Sequence, residues 1–170
     1  MSDSLIEFLL FLRARLDEDS LWATEASRRG NGPAVEGGAH WRWEDPSTDR
    51  PIEVNPGQDE FVGGERFRVS LRSREEWPTG SGMGPLPQFA IPEAEEVPSA
   101  VGGHIVRHDP ARVMRDVEAK RQQIAHLERV QAAANKHPDY ALAAGACEAS
   151  LRYAALAYVD HPDYRQEWKP

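Results

Sequence analysis

The stretch Arg66-Phe67-Arg68-Val69-Ser70-Leu71-Arg72 decides the architecture, because its apolar residues alternate strictly with arginine and serine. A period of two marks an extended chain with one apolar and one polar face, here a basic one. Such a strand needs neighbours in a sheet and an apolar cover. Just before it, Phe61-Val62-Gly63-Gly64 offers a two-residue hairpin turn whose glycines accept positive φ. Upstream, Trp41 and Trp43 alternate with Arg42 and Glu44, which predicts a second strand near 40–44, and Ile52–Val54 and Phe89–Ile91 are further candidates. Together they predict a small antiparallel meander of three or four strands, too small to stand unless helices cover one face. The stretches 27–38 and 73–87, the second rich in Gly, Pro and Ser, both read as mobile loops.

Glycine and proline are segregated around these strands: 12 of the 13 glycines and nine of the 13 prolines lie between Gly30 and Gly103. That centre is expected to hold no helix, whereas both flanks carry helical patterns. At the N-terminus Ser4 and Glu7 read as a capping box opening a helix that ends between Thr24 and Gly30. Its residues Leu5, Ile6, Phe8, Leu9, Leu10, Phe11 and Leu12 cover most of the circumference, so its first half should be enclosed by other elements or by a second copy. Downstream, Asp109 as cap and Pro110 in the first turn open a long amphipathic helix through Val113, Val117, Ile124, Leu127 and Val130, ending before His137-Pro138. A further helix fits Ala141 to Tyr158. The tetrapeptide His137-Pro138-Asp139-Tyr140 recurs as His161-Pro162-Asp163-Tyr164, and both copies read as helix starts. The fold class is therefore α+β: an N-terminal helix over 1–29, a β-meander with loops over 30–103, and a helical region with a hairpin over 104–170, all in one domain.

Composition narrows the function classes. With 20 basic against 28 acidic residues the net charge is −8, and the signs are mixed along the chain, so the concentrated basic footprint of nucleic-acid binding is missing. Leu, Ile, Val and Phe make up only about 19% of the chain, close to the edge of foldability at this charge. A single cysteine, Cys147, fits a reducing cytoplasm. The apolar run from Leu5 to Leu12 is interrupted by Glu7 and has no basic leader or cleavage site, so it is expected to be neither a signal peptide nor a membrane span.

Two sets of residues are candidates for function. His104 and His108, four apart and followed by Asp109, would share one face of a continuous helix and bind one ion such as zinc. The glutamate that serves as base in zinc proteases is absent beside His104, and a further ligand would have to come from His126, Cys147 or His161 through folding. The alternative has His108 capping a helix and His104 packing against the sheet. The second set is aromatic and aliphatic: Phe8, Phe11, Leu12, Trp41, Trp43, Tyr164 and Trp168, residue types that dominate buried contacts between chains. On this reading the protein is a non-enzymatic protein-binding accessory that self-associates, with a homodimer the simplest assembly and no cofactor needed. A metal-dependent enzyme using His104, His108 and Asp109, and a nucleic-acid-contacting regulator, are the alternatives.

The stretch His104-Ile105-Val106-Arg107-His108-Asp109-Pro110-Ala111-Arg112-Val113, with Val117-Glu118-Ala119-Lys120-Arg121 and Leu156-Ala157-Tyr158-Val159-Asp160-His161-Pro162-Asp163-Tyr164-Arg165-Gln166-Glu167-Trp168, resembles a family of small proteins of unknown function from actinobacteria and their phages. The opening Ile6-Glu7-Phe8-Leu9 and Phe11 through Asp19 resembles that family's first helix. A tryptophan-bearing sheet followed by a helix is also similar to temperate-phage accessory proteins of the Ead/Ea22 type. The resemblance implies an accessory protein of actinobacterial or actinophage origin and transfers no activity.

Overall fold

The computed structural model describes residues 3–55, 57, 59–64, 68–78, 82 and 84–170. Helix α1 (Asp3–Ala26) is followed by β1 (Trp41–Asp45), β2 (Arg50–Ile52), β3 (Arg68–Ser73), β4 (Glu76–Trp77), β5 (Leu86–Pro87) and β6 (Ala90–Glu95). Helices α2 (Ser99–Arg107), α3 (Pro110–Ala134) and α4 (Ala141–Ala155) complete the chain, with 3₁₀ turns at Pro138–Tyr140, Leu156–Tyr158 and Gln166–Trp168. This is the expected α+β class. The chain divides into two compact units: a sheet unit, Leu21–Arg115, and a helical unit made of the residues up to Ser20 together with Asp116–Pro170.

In the sheet unit four antiparallel strands run in the order β2-β1-β3-β6, and β4 pairs with β5 in a separate ribbon inside the stretch expected to be a loop. Trp43 stands opposite both Leu71 and Ile52. It joins Val62, Val69 and Leu71 in a buried core that Ile105 and Val106 of α2 cover. The alternation of β3 holds for Val69 and Leu71; Arg66 and Phe67 lie outside the described residues. Its polar face is not a free basic surface. Arg68 pairs with Glu93 and Glu95, Arg72 reaches Glu44 and Asp49, and the buried Ser70 hydroxyl donates to Pro92 O at 2.6 Å. Pro92 is tolerated inside β6 because that strand is at the sheet edge, where the β3–β6 register also shifts.

Three expectations are corrected here. Gly63 and Gly64 do have positive φ, and Gly64 N–H donates to Phe61 O at 3.0 Å, but this turn does not pair Phe61-Val62 with β3. Phe61 bridges Pro98 and Val62 N–H donates to Val97 O, so the segment runs against the entry to α2. The centre is not helix-free either, since α2 contains Gly102 and Gly103. A Cβ on Gly102 would lie 2.3 Å from Val62 Cγ2, and the Trp43 indole N–H donates to Gly102 O at 3.0 Å. The missing side chain is what lets the helix settle on the tryptophan. Finally, Ser4 lies inside α1, which already includes Asp3, so it is no cap; Glu7 instead accepts from Arg165 at 2.6 Å.

In the helical unit the buried residues of α1 form one stripe, Leu5, Phe8, Leu9, Phe11, Leu12 and Leu16, while Ile6 (42%) and Leu10 (59%) stay exposed. The ion pairs Arg13–Glu128 and Asp17–Arg121 show that this stretch runs antiparallel to α3. Val117, Ile124 and Leu127 of α3 and Ala144, Leu151 and Ala155 of α4 complete the buried set. The first His-Pro-Asp-Tyr copy opens α4 through a 3₁₀ turn, as expected, with Tyr140 N–H donating to His137 O. The second copy is only a turn, closed by Tyr164 N–H to His161 O at 2.9 Å, and it leads into extended backbone at Arg165.

Candidate functional site

The aromatic candidates of the helical unit come together. Phe11 meets Trp168 at 5.0 Å and Tyr164 at 5.8 Å between ring centroids, Phe8 meets Trp168 at 5.8 Å, and Arg152 lies over the Phe8 ring at 5.3 Å. These spacings are those of favourable tilted and edge-on ring pairs. Phe8, Phe11, Leu12, Tyr164 and Trp168 are all buried, so within one chain they face each other. Nearby, Tyr158 donates its hydroxyl to Asp19 at 2.6 Å; burial and that bond to a carboxylate push the phenol above its ordinary range.

The two candidate tryptophans of the sheet unit divide. Trp43 is core, whereas Trp41 is half-buried, stacks on Phe89 at 4.8 Å, and lines a cleft of about 590 Å³ with His40, Arg42, Val54, Arg74 and Arg107. His40 is fixed by Glu75, which takes the ring Nδ1 at 2.7 Å and the backbone N–H at 2.8 Å. Partial burial alone would raise the Glu75 carboxyl, but the hydrogen bonds from His40 outweigh it and hold the group below its usual value.

The histidine set is arranged differently from a shared helical face. His108 is the C-terminal cap of α2, its backbone N–H and ring Nδ1 both directed at His104 O, and the two imidazoles stack at 4.1 Å. His104 is exposed rather than packed on the sheet. Asp109 is occupied as the cap of α3: Oδ1 accepts Arg112 N–H at 2.8 Å and Oδ2 accepts Trp41 N–H at 3.4 Å. Among the described residues no group of three or more His, Cys, Asp or Glu is placed to hold a metal ion.

The surface that stands out lies on α4. Leu142 is 86% exposed, Tyr153 64% and Leu156, just past the helix, 38%. With the exposed Ala146 and Ala149 they follow a 4-3-4-3 spacing, the repeat of a helix–helix seam. The opposite face of the same helix carries Ala144, Leu151 and Ala155, which are buried. Helix α4 thus has two apolar seams, of which its own chain covers one. A groove of about 550 Å³ lined by Ala119, Gln122, His126, Ala146, Cys147 and Ser150 adjoins the open seam. The signal was present in the sequence as an excess of apolar positions over what one face can hold.

Among the described residues no helix is long and apolar enough to cross a membrane. No curated protein and no solved structure matches the chain. Residues 4–170 match a family of unknown function, DUF6221, and the chain belongs to that family.

Proposed function

We propose that this protein is a binding module that acts through protein contacts, and that its first partner is a second copy of itself joined through the outer seam of α4. The observation that carries the reading is the exposure of Leu142 and Tyr153 on a helix whose other face is already packed. Large apolar side chains gathered on one exposed stripe mark interaction surfaces, whereas scattered ones do not. The seam is also self-complementary. In an antiparallel two-fold pairing centred on Ala149, Leu142 of one copy faces Leu156 of the other and Tyr153 faces Gly145. Nothing within 4 Å surrounds the Gly145 Cβ position, so the ring has room there. Small residues at the centre let the two backbones approach closely, and isologous pairing of one patch with itself is the commonest way to close a dimer.

Sedimentation equilibrium tests this. The chain weighs 19.0 kDa, and the wild type should sediment at twice that mass at about 100 µM, a concentration that populates dimers of micromolar Kd. Ala149→Glu places two carboxylates face to face on the two-fold axis and should return the protein to monomer with unchanged circular dichroism. A wild type that stays monomeric, or an Ala149→Glu variant that stays dimeric, refutes the seam.

A further inference from the structure

We propose that the cleft between the start of β1 and the end of α2 is a binding site for a small ligand with a flat apolar body and one anionic group, carboxylate or phosphate. Its volume, about 590 Å³, lies within the range of small-molecule sites. Trp41, Ile52, Val54 and Val106 supply apolar surface, and Arg42, Arg74 and Arg107 supply positive charge.

The condition of those charges decides the ligand class. Arg42 is engaged with Glu44 at 2.5 Å, and both oxygens of Asp109 are taken by backbone amides. His40 is held by Glu75. The guanidinium groups of Arg74 and Arg107 are exposed and meet no carboxylate among the described residues, whereas Arg42 on the same wall is paired. The remaining acid on the wall is Glu53, so two guanidiniums without an ion pair among the described residues share the cleft with one carboxylate. Planar guanidinium forks suit carboxylate and phosphate oxygens, and the Trp41 and Val54 surfaces suit an apolar body. Both halves of the ligand are needed, because a bare anion leaves the apolar wall wet and a neutral ring leaves the guanidiniums unanswered.

Isothermal titration of the full chain with phenyl phosphate, benzoate and adenosine 5′-monophosphate tests the site, with inorganic phosphate and adenosine as half-ligands. At least one of the three whole ligands should saturate at a 1:1 ratio at or below about 1 mM, at least tenfold tighter than either half-ligand. The phosphate and carboxylate arms show which anion the arginines prefer. Arg74→Gln and Arg107→Gln should each weaken that binding by roughly tenfold, the value of one charge-assisted hydrogen bond, while Arg129→Gln on α3 leaves it unchanged. Because both arginines are exposed, the variants should keep the wild-type near-ultraviolet circular dichroism. Failure of all three whole ligands to saturate overturns the proposal. So does binding that survives both cleft substitutions or falls equally with Arg129→Gln.

Discussion

Alanine at Gly102 pits two effects of known size against each other. In the interior of a helix, Gly→Ala gains about 1 kcal/mol from backbone entropy. Here the new Cβ would stand 2.3 Å from Val62 Cγ2 and 3.1 Å from the Trp43 indole nitrogen, against an optimal carbon–carbon separation of roughly 3.5–4.0 Å. Val62 is 2% exposed and has a single, β-branched torsion, so it cannot swing aside without entering space already filled. Helix α2 must therefore lift off the sheet by about an ångström, which also stretches the bond from the Trp43 N–H to Gly102 O. Overpacking costs about 1–3 kcal/mol and the strained hydrogen bond about 1 kcal/mol more, so the net is a loss of about 1–3 kcal/mol. At roughly 2–4 °C per kcal/mol, the melting temperature read from tryptophan fluorescence should fall by about 2–12 °C. The neighbouring Gly103→Ala is the control. Its Cβ meets Val54 Cγ1 at 3.6 Å, an ordinary contact, so the helix-propensity gain should survive and raise the midpoint by about 2–4 °C. If Gly102→Ala melts at or above the wild-type temperature, α2 does not press on Trp43 as described.

Other expectations follow from the same contacts. Glu75 is held below the ordinary carboxyl range in the folded protein, so the unfolded chain takes up its proton first as pH falls; the stabilisation is present above pH 4.5 and lost progressively below it. Urea midpoints between about pH 6 and 3 should therefore fall more steeply for the wild type than for Glu75→Gln, and parallel slopes would refute the His40–Glu75 linkage. Trp168→Ala removes the ring that closes on Phe8 and Phe11 and should cost about 3–5 kcal/mol in denaturant unfolding; a loss below about 1 kcal/mol would show that the tail is not seated on α1. In ultraviolet titration of the folded protein, the Tyr158 phenol should ionise above the ordinary phenol value of 10.0, and Asp19→Ala should reduce that shift without abolishing it, because burial, its larger cause, remains when the hydroxyl loses its acceptor; an unshifted phenol would refute the Tyr158–Asp19 contact.

Much of this architecture was legible because local chemistry and tertiary structure agree. Asp109-Pro110 opens α3 as its composition demands, since the aspartate accepts an amide of the first turn and proline surrenders none that was needed. Val69 and Leu71 face the core because their alternation leaves no other way to bury them. What was not legible depends on partners distant in sequence. Gly102-Gly103 reads as a break until Trp43 and Val62 are in place, and only then does the lack of a side chain become a fit. The two His-Pro-Asp-Tyr copies are identical, yet one opens a helix and the other stops, because the difference lies in the residues that follow.

The candidate sites obey the same division. The cleft was invisible in the sequence because nothing local ties Arg74 to Arg107, or either to Trp41, and only folding brings these cations to one apolar wall. The aromatic candidates were conspicuous for the opposite reason: Phe8, Phe11, Tyr164 and Trp168 are the residues that a chain poor in Leu, Ile, Val and Phe must spend on its own interior. Apolar character alone does not separate core from interface, since both remove the same kind of surface from water. What separates them is count against geometry. A helix packed on one side can bury one seam, so when α4 carries Ala144, Leu151 and Ala155 on one face and Leu142, Tyr153 and Leu156 on the other, the second set is surplus to the fold and therefore open to a partner.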